Sequence, residues 1–175
     1  MACIAIAAVA SEHVVAQDLT TMPPQPGDLL VRARGADKTT PLVPADLELR
    51  GRPIQVWPAD PATGVPRNGT LYNLIMVSRW DPGEIGTAAQ ERHADGIVAQ
   101  TVICTHSACE VVDWVDDLKL VECPCHFSRY DPRNNGAVVQ GPSHRKLPAL
   151  ALAIKDGKIV VDRPFDGRVG GDVEA

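Results

Sequence analysis

The chain has 175 residues, inside the usual range for one domain, with aromatics at 4% and 14 Gly and 15 Pro. That balance favours short strands joined by turns over long helices. A formal net charge of −5 argues against nucleic acid or an anionic membrane surface as a partner.

Met1 to Ala10 is apolar and too short to span a bilayer, which needs about 20 residues. It lacks the basic start of a signal peptide. It is expected to be the tail of an export or anchor helix, because Ala8-Val9-Ala10 has the small-x-small pattern of a cleavage site. A helical turn packed on the domain is the other reading, and Cys3 has no expected role. Ser11 to Gly27, with Pro23, Pro24 and Pro26, reads as a semi-extended linker or an ordered lead-in. Residues 1–27 are therefore set apart from a domain over 28–175.

Leu29 to Arg34 alternates apolar and basic residues and predicts a strand. Pro41 to Leu49 is expected to be loop, Ile54 to Trp57 a short strand, and Pro58 to Gly69 a turn cluster. The apolar run Leu71 to Val77 predicts a buried strand. Asp81 to Ile85 suits a turn or a first helical turn, and Thr87 to His93 a short helix ending near Gly96. His93 is expected at the surface. Gly96 to Ile103 predicts the strand that delivers Cys104.

The next stretch holds four of the five cysteines and two of the five histidines. It reads Cys104-Thr105-His106-Ser107-Ala108-Cys109 and, further on, Cys123-Pro124-Cys125-His126-Phe127-Ser128-Arg129-Tyr130. Thiolates are soft donors for zinc or iron–sulfur iron, and neutral imidazole suits a borderline metal. A closed Cys2His2 zinc site leaves Cys109 and Cys125 without a role, and a pure disulfide framework leaves both histidines unexplained. Between the blocks, Glu110 to Val115 and Lys119 to Glu122 predict a hairpin turning through Asp116-Asp117. Asn134-Asn135-Gly136 predicts a turn, and Leu150 to Ile154 with Lys158 to Val161 a hairpin around Asp156-Gly157. So many short strands point to an all-β fold.

The two blocks together resemble the motif of the high-potential Rieske 2Fe–2S proteins, Cys-Thr-His-x-x-Cys followed by Cys-Pro-Cys-His-x-Ser. The resemblance is specific over Cys104 to Pro148. It implies an antiparallel β-sandwich or barrel with a cluster-binding subdomain of two loops, about 102–148. It also implies one 2Fe–2S cluster per chain, two of its four ligands being histidines. By that match Cys104 and Cys123 bind one iron, His106 and His126 the other, and Cys109 and Cys125 form a disulfide between the loops. Ser128 and Tyr130 match hydroxyl donors to a bridging sulfide and to the Cys104 thiolate. The chain departs from the pattern at Ser107-Ala108, where Leu-Gly is common, and at Phe127, where Gly is usual. A third departure is the cover loop Gly141-Pro142-Ser143-His144, often Gly-Pro-Ala-Pro.

Two ferric ions, two sulfides and two thiolates sum to zero charge, two charges above an all-thiolate cluster. Neutral His ligands therefore raise the potential, to about −150 to +300 mV against about −400 mV for plant-type ferredoxins. The family match implies a one-electron carrier with no catalytic residue of its own, similar to the iron–sulfur subunit of a quinol–cytochrome c reductase. The alternative is the small subunit of a periplasmic molybdenum oxidase such as arsenite oxidase. A ring-hydroxylating dioxygenase ferredoxin fits less well, because those lack the Cys109/Cys125 pair. Expected partners are cytochrome b- or c-type subunits or a molybdenum large subunit, with quinol as a possible substrate. The expected place is the periplasm or the outer face of the cytoplasmic membrane, reached through the N-terminal segment. His144 and Arg145 are expected to add positive charge beside the cluster tip, which would suit an acidic docking surface.

Overall fold

Strand-forming Val, Ile and Leu recur at alternate positions in the middle and C-terminal parts of the chain, and this alternation decides the architecture. The computed structural model describes residues 18–172. The expected export segment and Cys3 lie outside the described residues. Six strands close a barrel in the order β1 (Leu29–Arg32), β10 (Lys158–Arg163), β9 (Ala149–Lys155), β4 (Ile97–Thr101), β3 (Ile75–Arg79) and β2 (Ile54–Ala59). Every pairing between them is antiparallel. Ile75 and Val77, Ile97 and Ala99, Leu150 and Leu152, and Ile159 and Val161 are the alternate residues that fill the barrel.

The opposite faces of these strands are covered as well. Met76 packs with Leu74, Val102, Ile103, Val121, Tyr130 and Leu147 in a second cluster. Val98 packs with Trp80, Ile85 and Ala89 in a third. That second layer is made by a four-stranded sheet, β5 (Asp113–Val115), β6 (Leu120–Glu122), β7 (Arg129–Asp131) and β8 (Ala137–Gln140). The candidate site sits at one end of this sheet, on the loops before β5 and β7 and after β8. The hairpin β9–β10 turns through Asp156 (φ 50°) and Gly157 (φ 75°), the pair of positive φ values that a two-residue primed turn requires.

Two expectations about elements change. The run Leu71–Val77 is not one strand: Leu71–Asn73 is a 3-10 turn whose Tyr72 amide donates to Thr70 Oγ1, and β3 begins at Ile75. Leu71 and Tyr72 are accordingly exposed. The helix expected over Thr87–His93 is a single 3-10 turn, Thr87–Ala89. Strands β7 and β8, which flank the expected Asn134-Asn135-Gly136 turn, have no clear period of their own in the sequence. Among residues 18–27, the amide of Gly69 donates to Thr20 O and Asn73 Nδ2 to Met22 O, and Pro24 is buried. This part of the expected linker is fastened to the barrel. Buried Asp28, paired with Arg67 through two hydrogen bonds of 2.6 and 2.8 Å, anchors the entry to β1.

Candidate metal centre

The two Cys/His blocks fold into loops of the same backbone design. In the first, the Cys104 amide donates to Cys109 O (2.8 Å) and the Ala108 amide to Cys104 O (3.0 Å). In the second, the Cys123 amide donates to Ser128 O (2.9 Å) and the Phe127 amide to Cys123 O (2.9 Å). The fifth residue of each loop is left-handed, Ala108 at φ 60° and Phe127 at φ 57°. These are two of the positions at which the sequence departs from the motif, both usually glycine there, and the left-handed backbone explains that preference. A disulfide joins Cys109 to Cys125, with Cα atoms 6.6 Å apart.

Inside this clasp the donors separate by exposure. The Cys104 and Cys123 thiols are buried at the inner end. His106 is half-buried and His126 exposed, and their Nδ1 atoms face each other at 3.2 Å with ring planes 81° apart. The three sulfurs of Cys109, Cys123 and Cys125 also lie within 4.8 Å of one another, but two of them are spent in the disulfide. The Cys123 thiol hydrogen-bonds the Cys104 sulfur, which with Tyr130, the His106 amide and Ser143 pushes the Cys104 thiol down to about 5 against the opposing effect of burial. The same contact, together with burial, pushes Cys123 strongly up. The surroundings of Cys104 thus favour a negative sulfur there.

A hydroxyl cluster closes the buried side. Tyr130, fully buried, has its Oη 3.2 Å from Cys104 Sγ, 3.2 Å from Thr105 Oγ1 and 2.5 Å from Ser143 Oγ. Burial, then the hydrogen bond to Cys104, pushes the Tyr130 phenol up to about 12, so it stays a proton donor. Ser128 Oγ accepts from the Ser143 amide (3.2 Å) and from the Ser143 hydroxyl (3.0 Å). Gly141 lets the cover loop reach this depth: it is left-handed (φ 94°), and a Cβ there would stand 2.5 Å from Ser128 Cα.

A C-terminal strap, residues 168–172, completes the site. The Asp172 amide donates to Thr105 O (2.9 Å) and His106 O (3.0 Å). Arg145 donates to Arg168 O, Gly170 O and the Asp172 carboxylate, each at 2.8 Å. Gly171 runs so close to the first loop that a Cβ would lie 2.7 Å from Ala108 N.

The fold thus brings together Cys104, His106, Cys109, Cys123, Cys125, His126, Ser128 and Tyr130. Arg145 differs from expectation: its guanidinium is bound to the strap, so it is not a free charge at the tip, while His144 is exposed. His93 is half-buried, and its Nδ1 accepts from the Gly96 amide, away from the site. Ser143, Thr105 and the strap were not assigned a site role from the sequence. For Ser143 the departure from the common cover-loop alanine was the available signal. For the strap there was none. A groove of about 370 Å³, lined by Arg32, Arg52, Ile54, Val112 and Trp114 among others, holds none of these donors, so shape alone does not mark the centre.

Residues 83–151 match the family model for the Rieske [2Fe-2S] domain. This part of the chain is a Rieske domain. A protein of Haloferax mediterranei described as a respiratory nitrate reductase Rieske subunit is 33% identical over 69% of this chain and 52% of its own length. The cytochrome bc1 complex Rieske iron–sulfur subunit of Streptomyces lividans is 32% identical, over 51% of this chain and 54% of its own. The chain spans about half the length of these curated relatives. Among solved structures, the plasma membrane Rieske protein of Synechocystis PCC 6803 is 23% identical over 61% of this chain and 84% of its own, with a TM-score of 0.39. A Rieske domain implies a 2Fe–2S cluster, and the donors present fit one: two buried cysteines that are not in a disulfide stand on one side, and two imidazole nitrogens face each other on the other.

Proposed function

We propose that Cys104 and Cys123 hold one iron and His106 and His126 the other, so that the domain carries single electrons for a larger redox complex. The facing Nδ1 atoms of His106 and His126, 3.2 Å apart at the exposed end of two disulfide-joined loops, support this reading most directly. When bound, the cluster supplies reversible one-electron chemistry. The chain does the rest. The Cys109–Cys125 bond and the strap fix the loops, so little rearrangement accompanies a change of charge. Tyr130 keeps its proton and directs a hydroxyl at the Cys104 sulfur, favouring the more negative, reduced state. The exposed ring of His126, flanked by Phe127 at 60% exposure, offers the point of approach for a partner.

The relative named as a bc1 complex subunit supports an assembly of the quinol–cytochrome c reductase type, with redox partner subunits, over a molybdenum oxidase small subunit. In that assembly the domain works at the outer face of a membrane. Among the described residues no helix is long and apolar enough to cross one. The purified protein should be brown, with iron and acid-labile sulfide in equal amounts; a colourless zinc-loaded protein would overturn the reading. For the partner, an inhibitor of a bc-type quinol site should alter the reduced cluster's electron paramagnetic resonance line shape in native membranes. An unchanged line shape, with co-purification alongside a molybdenum subunit, would favour the alternative.

A further inference from the structure

Ser143 stands where the motif commonly has alanine, and its side chain is buried at 5% exposure among three polar atoms. Its Oγ lies 3.0 Å from Ser128 Oγ, 2.5 Å from Tyr130 Oη and 3.8 Å from Cys104 Sγ. A serine hydroxyl has one proton to give. Ser128 Oγ and Tyr130 Oη are therefore competitors for a single donor. Each has one further donor, a backbone amide: Ser128 Oγ accepts the Ser143 amide at 3.2 Å and Tyr130 Oη the Thr105 amide at 3.4 Å. Ser143 is thus the one hydroxyl whose proton either can take, the neighbouring Thr105 hydroxyl being committed to Arg145 O at 2.5 Å.

We propose that Ser143 is a positioning residue that couples Ser128 and Tyr130 through this shared proton. The inference rests on the proposed cluster reading, in which both hydroxyls serve the cluster's sulfurs. When Ser143 donates to Ser128, as the geometry allows, its oxygen becomes an acceptor and draws the Tyr130 proton away from Cys104. When Ser143 donates to Tyr130, the phenol proton is released to Cys104 Sγ, 3.2 Å away, and is strengthened as a donor by the bond it accepts. Each hydroxyl thus limits the other while both are present. Removing either one hands the Ser143 proton to the survivor, which then compensates for part of the loss. The single losses conceal some of what the pair does.

The test is a double-mutant cycle on the midpoint potential of the cluster-loaded protein, using Ser128→Ala and Tyr130→Phe with Ser143 present and in a Ser143→Ala background. With Ser143, the drop in the double variant should exceed the sum of the single drops. The excess should be about threefold in the reduced-to-oxidised ratio, roughly 28 mV at 59 mV per decade for one electron. In Ser143→Ala the effects should add, and Ser143→Thr, which restores a hydroxyl, should restore the excess. Additive drops in both backgrounds, with iron–sulfur absorption intact, would overturn the coupling and leave the cluster reading standing. Absence of the cluster from the parent protein would overturn both. A variant that loses the cluster is replaced in the cycle by Tyr130→Phe with Ser143→Ala alone. There the Ser143→Ala change should shift the potential with Tyr130 present by a different amount than with Phe; equal shifts would also overturn the coupling.

Discussion

Ala108 and Phe127 hold a left-handed backbone without being glycine, and both side chains are exposed, so nothing buried compensates. Left-handed conformation costs a residue with a Cβ about 1–2 kcal/mol, and glycine gives back about 0.5–1 kcal/mol in chain entropy. Ala108→Gly and Phe127→Gly should each stabilise the protein by about 0.5–1 kcal/mol in denaturant unfolding. A loss of stability would show that the side chains are held by contacts on the loop. The disulfide acts at the same scale. Cys109 and Cys125 are 16 residues apart, a closure that contributes about 3 kcal/mol by chain entropy. Cys125→Ser should lower stability by that order and speed the bleaching of cluster absorbance. An unchanged bleaching rate would mean the loops hold the cluster without it.

The elements around the site are tied by side chains whose roles follow from their partners. Burial pushes the Asp166 carboxyl up, but hydrogen bonds from the Ala149 amide, Lys146 Nζ and Asn135 Nδ2 outweigh it and hold the group below the usual carboxylate range. It thereby joins β9, the cover loop and the β7–β8 turn. A depressed folded value contributes stability that is present above the ordinary Asp value near 3.9 and lost as pH falls through the folded value. Asp166→Asn should cost about 1.5–3 kcal/mol at neutral pH, the range for charged hydrogen bonds, and should flatten the acid limb of the stability profile. A parallel profile would contradict this account. Gly171→Ala tests the strap: its Cβ meets the first loop, so hydrogen exchange at the Asp172 amide should quicken while the Val161 amide in the barrel stays protected. Unchanged exchange at Asp172 would show that the strap tolerates displacement.

At the scale of the whole molecule, the parts legible in the sequence were those set by neighbours along the chain. The β9–β10 hairpin followed from Asp156-Gly157 and the alternation around it, and the two loops from the family resemblance that the Cys/His blocks carry. Leu71-Tyr72 misled because apolar residues on an exposed turn have the same composition as a strand, and only Thr70 as a cap distinguishes them. Barrel closure, which pairs β1 with both β2 and β10, is a contact between chain ends that no local pattern carries. The same holds for Asp172 against Thr105, whereas Ser143 meets Tyr130 because β8, which leads into the cover loop, pairs with β7. The central claim is that the fold divides its donors, sulfur inside and imidazole outside. Electron–nuclear double resonance on the reduced protein, grown with 15N-labelled histidine, reads that division directly. Strong coupling to two histidine nitrogens, with one lost in each of His106→Cys and His126→Cys where the cluster survives, is the result expected. A reduced cluster showing no histidine nitrogen coupling would contradict it.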